Sequence, residues 1–149
     1  MKPQQLVGDL EGLDSLQGVE SLCCFVTEDE RPLSGAVGFL DWRLCGELSG
    51  VLRSKFFVGA PGDTLLLPTR ERVPARRVFA VGLGKAGAVT ALGLEHALAA
   101  AAGMLTRAQV SAVALAFPAL PKDLAAARDE LIARGFSSHF QGAVAVFSA

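Results

Sequence analysis

Gly82, Gly84 and Gly87, with Lys85 among them, spell G-x-G-x-x-G after a run of apolar residues. Glycines at this spacing let backbone N–H groups approach a phosphate at the start of a helix, and a lysine beside them adds a point charge. A full dinucleotide fingerprint also needs an acid about twenty residues on, to hold a ribose hydroxyl. The next apolar run instead ends Ala116, Phe117, Pro118. Two readings of the loop follow: a phosphate cradle, or a turn that lets a helix pack closely on a sheet. Glu28, Asp29 and Glu30 also follow an apolar run. Ligand sites of α/β sheets lie at such places, and so do solvated loops. His96 and His139 have no carboxylate, cysteine or second histidine at ligand spacing, so neither is expected to catalyse or to bind metal. No G-x-S-x-G elbow occurs. The expectation is no catalytic residue, no metal and no cofactor.

Four arginines, Arg70, Arg72, Arg76 and Arg77, crowd one turn. Residues 1–50 sum to −6, residues 51–80 to +4 and the remainder to +1, for a net charge of −1. A near-neutral total argues against nucleic-acid binding by bulk charge. The arginine turn is then either a solvated loop or a local contact for an anion, a nucleic acid or a partner. Cys23, Cys24 and Cys45 form an odd set without C-x-x-C spacing. The expectation is buried reduced thiols, with the adjacent pair facing opposite sides of a strand.

The elements that must position these residues are legible in the apolar periodicity. Glu20–Thr27 reads as a strand covered on both faces. Ser34 is a candidate N-cap for one helix carrying Val37, Leu40, Leu44, Leu48 and Val51 on a single stripe. Phe39 and Trp42 fall off that stripe, where they pack at its edge or meet a partner. Thr64–Pro68 and Arg77–Val81 read as strands. Thr90 caps a helix with the stripe Leu94, Leu98, Ala101 and Leu105, and Val110–Phe117 is a further strand. Pro121 opens a helix that closes at Gly135, and Gly142–Phe147 is the last strand. Strands alternating with helices predict an α/β fold with a largely parallel sheet and helices on both faces.

With 51% hydrophobic residues in 149, disorder is excluded and one domain over residues 1–149 is expected. The opening residues lack a signal-peptide core, and no apolar run approaches the ~18 residues of a membrane span. A cytoplasmic protein without membrane contact is the expectation.

The order of four stretches resembles the N-terminal domain of the leucyl aminopeptidase (cytosol aminopeptidase) family. LSGAVGFLDWRLCGELSGVLRSKFF (Leu33–Phe57) is similar to that family's first long helix, with Leu40, Asp41 and Gly46 in place. VGAPGDTLLLP (Val58–Pro68) is similar to its G-x-x-G-[DE] turn and strand. RRVFAVGLGK (Arg76–Lys85) and ALGLEHALAAAAGMLTRAQVSAVALAFP (Ala91–Pro118) resemble the next strand, the alanine-rich helix and the strand after it. The resemblance implies a three-layer α/β/α macro-domain-like fold with a mixed, largely parallel sheet. The family's two-metal ligands and NTDAEGR signature have no counterpart in this sequence. The domain's role in the family implies a non-catalytic protein-binding, regulatory or assembly function, with a protein partner or self-association. Two alternatives remain: an ADP-ribose-like nucleotide on Gly82, Gly84, Lys85 and Gly87, or an accessory contact to DNA through Arg70, Arg72, Arg76 and Arg77. Phe39, Trp42 and the arginine turn are the candidate contacts.

Overall fold

The seven-residue run Ser21–Thr27 is buried at every position, as a central strand with cover on both faces must be. A computed structural model describes residues 3–148, and in it this run is strand β2 of a six-stranded sheet. The other strands are β1 (Gln4–Leu6), β3 (Thr64–Pro68), β4 (Arg77–Gly84), β5 (Ala112–Ala116) and β6 (Ala143–Phe147), in the spatial order β1-β6-β5-β2-β4-β3. Every neighbouring pair is parallel except β3–β4. The mixed, largely parallel sheet is therefore as expected. Its edge strand β3 alternates exposed and buried residues, while β4 and β5 are buried almost throughout.

Helices α1 (Leu10–Asp14), α2 (Gly35–Arg43) and α3 (Glu47–Ser54) cover one face, and α4 (Ala91–Arg107) and α5 (Lys122–Gly135) the other. Cys24 packs in the first core and Cys23 in the second, so the adjacent thiols do face opposite sides of β2. Burial pushes the Cys24 thiol up to about 12, and the nearby Asp41 carboxylate adds to the shift. Cys23 is raised well above its ordinary value by the same burial. Cys45 is exposed, contrary to the expectation of three buried thiols, because it sits in a break between two helices.

That break is the main departure from the predicted elements. The stripe Val37, Leu40, Leu44 and Leu48 is buried as expected, but two helices carry it. Cys45 and Gly46 take left-handed φ values of 58° and 78°, which end α2 and start α3 in a new direction. Asp41 makes the restart favourable. Its side chain is buried, and its Oδ1 accepts from the backbone N–H of Leu48 at 2.9 Å and of Ser49 at 3.1 Å. The Ser49 hydroxyl donates to the other oxygen. One carboxylate thus serves as the cap that Gly46 lacks.

Thr90 caps α4 as predicted, accepting from Gly93 N–H at 3.1 Å. Gly135 is the last residue of α5 rather than the cap beyond it; Phe136 takes that position. β1 and α1 gave no clear periodic signal, being three and five residues long. Among the described residues, no helix is long and apolar enough to cross a membrane.

Candidate functional site

The glycine loop lies at the carboxyl edge of the parallel strands, where β2 and β4 end side by side with Thr27 opposite Gly84. Gly82 and Gly84 belong to β4 itself, and Gly87 sits in a 3-10 turn, Ala86–Ala88. The connection Val58–Asp63 crosses directly over them. Gly84 N–H donates to Gly59 O at 2.8 Å, and Gly82 N–H to Asp63 O at 2.9 Å. A Cβ on Gly82 would collide with the Ala60 carbonyl oxygen, so the approach of backbone to backbone requires glycine there. Gly59 is held at φ +86°, and a Cβ on it would meet Thr27 O at 2.7 Å.

Acids complete this cluster. Asp63 Oδ2 accepts from the N–H of Val58 at 3.2 Å and of Ala60 at 3.3 Å. Asp29 Oδ1 accepts from Ala86 N–H at 2.9 Å. Arg31 donates to the carbonyls of Thr27 at 3.0 Å and Glu30 at 2.8 Å. The amides of Gly82, Gly84 and Ala86 are therefore bonded within the chain. The Lys85 side chain is exposed. Beside them, between the carboxyl ends of β2 and β5, connections leave in opposite directions along the sheet, the usual position of a ligand crevice in such folds. Here Phe25 and Phe117 stack at that position, with ring centroids 4.6 Å apart and planes 5° from parallel.

The arginine turn lies at the opposite edge, joining the end of β3 to the start of β4. Thr69 organises it. Its N–H donates to Arg76 O at 3.0 Å, and its buried hydroxyl lies 2.5 Å from Ala75 O and 3.0 Å from Arg76 O. Val73 and Ala75 are buried in the core beneath. Arg70, Arg72 and Arg76 are exposed and line a cavity of about 730 Å³, with Arg72 Nη1 donating to Leu44 O at 3.5 Å. Arg77 does not join them. It is the first residue of β4, bonded to Glu20 Oε1 at 2.6 and 3.0 Å, with its guanidinium 5.4 Å from the Phe79 ring centre.

Phe39 and Trp42 share the outer side of α2. Trp42 is 72% exposed and Phe39 39%. Both border a shallow groove of about 440 Å³ with Leu10 and Leu33. His96 and His139 are exposed, and among the described residues no three His, Cys, Asp or Glu side chains gather as metal ligands. The sequence marks Asp63 only as the acid of the G-x-x-G-[DE] turn and Phe117 only as a strand end, and it gives no signal for Thr69. The Gly62-Asp63 turn signal was visible, whereas the partners of Phe117 and Thr69 depend on tertiary contacts.

Comparison with known proteins places this geometry. The model of the cytosol aminopeptidase family N-terminal domain matches residues 23–137. A probable cytosol aminopeptidase of Trichormus variabilis is 28% identical over 116 residues, 78% of this chain and 23% of that protein. The chain thus spans about a quarter of the length of that relative. The structure of a tomato leucine aminopeptidase mutant superposes with a TM-score of 0.71 at 20% identity, covering 99% of this chain and 32% of that one. A Trypanosoma brucei macrodomain in complex with ADP-ribose superposes at 0.58, with 13% identity, covering 96% of this chain and 62% of that one. The chain belongs to the cytosol aminopeptidase family, whose N-terminal domain it matches, and its fold is macrodomain-like.

Proposed function

We propose that this domain acts by contact rather than by chemistry, as a non-catalytic assembly or regulatory module whose partner is the peptidase portion of its family. The observation that carries this reading is the outer side of α2. A tryptophan 72% exposed beside an exposed phenylalanine is an anchor of the kind that dominates protein interfaces. The relatives' remaining three-quarters supply a partner of matching origin, on the same chain or another. Light scattering after gel filtration tests it, with the domain alone and mixed with the catalytic portion of a family peptidase. The wild type is expected to assemble, and a Phe39→Ser/Trp42→Ser variant to lose assembly while melting at the same temperature. A wild type that stays monomeric in both samples overturns the reading.

A second reading is a nucleotide module, supported by the macrodomain complexed with ADP-ribose and by the glycines of β4. The bonded amides of Gly82, Gly84 and Ala86 weigh against it, since a ligand phosphate would have to displace Gly59 O, Asp63 O and the Asp29 carboxylate. Titration calorimetry with ADP-ribose decides: binding that Asp29→Ala strengthens favours this reading, and absence of heat removes it.

A further inference from the structure

We propose that the cavity at the Thr69–Arg76 turn binds a small phosphate-bearing polyanion through Arg70, Arg72 and Arg76. Charge is the first support. Among the described residues, none of these three is in an ion pair, as is also true of Arg31, Arg53 and Arg107, but only here do three such arginines line one cavity; the one hydrogen bond any of them makes through its side chain is the long contact of Arg72 Nη1 to Leu44 O at 3.5 Å. Asp14 also lines the cavity, but its carboxylate is already bonded to Arg43 at 2.6 and 2.9 Å. That contact holds the Asp14 carboxyl below the usual range, so it stays ionised and paired. Glu71 is left as the one uncommitted acid against three guanidiniums. A guanidinium presents a rigid fork of donors suited to phosphate oxygens, and three around one cavity outnumber what a single carboxylate could satisfy.

Rigidity is the second support. The turn is pinned by the Thr69 hydroxyl, by Arg72 N–H donating to Thr69 O at 3.1 Å, and by Arg76 N–H donating to Glu20 O at 2.9 Å. The arginines therefore start from a fixed frame, and less ordering is left to oppose binding. Strain is the third. Arg70 and Glu71 take φ values of 54° and 65°, the only consecutive non-glycine pair in the left-handed region among the described residues. A turn of that shape strongly favours Asn-Gly. Neither side chain makes a hydrogen bond or ion pair with a described residue that would offset the strain, so stability does not explain an arginine there. A cavity of about 730 Å³ suits a small molecule.

Calorimetry with inorganic pyrophosphate at low salt provides the test. The wild type is expected to bind, and an Arg70→Gln/Arg72→Gln/Arg76→Gln variant to bind about tenfold or more weakly. Arg70→Asn/Glu71→Gly is expected to weaken binding while raising Tm by about 3 °C, which separates a binding role from a folding one. No heat at millimolar pyrophosphate, or equal binding by the triple variant, overturns the proposal. A short DNA duplex in a parallel titration identifies the source of the phosphate. Duplex binding that is lost in the triple variant, with no pyrophosphate binding, also overturns the small-ligand site.

Discussion

The two edges of the sheet treat their polar groups in opposite ways. At the carboxyl edge, the amides of Gly82, Gly84 and Ala86, the Asp29 and Asp63 carboxylates and the Arg31 guanidinium all bond within the chain. At the amino edge, the backbone of the turn is equally well bonded, but Arg70, Arg72 and Arg76 have no ionic partner among the described residues. A motif that spells a ligand loop can thus have its amides bonded by folding, while a turn with no motif can leave its charges without an ionic partner. A donor already bonded within the chain is not free for a ligand, whatever motif it belongs to.

Three substitutions test the contrast. Gly82→Ala should have the largest effect, about 3 kcal/mol of lost stability by urea unfolding, because its Cβ meets the Ala60 backbone rather than a movable side chain. A loss below about 1 kcal/mol would show that the crossing loop gives way easily and that the carboxyl edge is open after all. Thr69→Val should cost about 1–2 kcal/mol, since its buried hydroxyl is replaced by a methyl facing the carbonyls of Ala75 and Arg76. A neutral result would mean that the amino-edge turn is not held by Thr69. Asp29→Ala should cost only about 0.5–1 kcal/mol, the contact to Ala86 N–H being exposed, and should quicken hydrogen exchange at that amide. Unchanged exchange would break the claim that Asp29 occupies the loop.

Most of the fold was legible because long apolar runs have one physical explanation. β2, β4 and β5 needed cover on both faces, and the α4 stripe Leu94, Leu98, Ala101 and Leu105 is fully buried. The α2–α3 break was hidden because the stripe continues through it in sequence, and Asp41 holds the new direction by bonds seven and eight residues away. The glycine string was legible as a string. Its occupancy was not, because the groups that fill it come from Gly59, Asp63 and Asp29, brought together by tertiary contact. Arg77 looked like part of a basic turn until its pairing with Glu20, 57 residues earlier, separated it. The place of Trp42 off the stripe left edge packing and exposure both open, and the structure shows it 72% exposed while its off-stripe neighbour Asp41 is buried.

Asp41 has a consequence for the order in which the chain assembles. Its bonds to Leu48 and Ser49 close loops of seven and eight residues, whereas Ser21 pairs with Arg77 across 56. Loop closure is cheaper over short separations, and local contacts form faster. The two helices and their elbow can therefore dock as one unit before the central strands meet. Substitution of Asp41 should then slow folding more than it speeds unfolding, marking this carboxylate as part of the nucleus rather than a late brace.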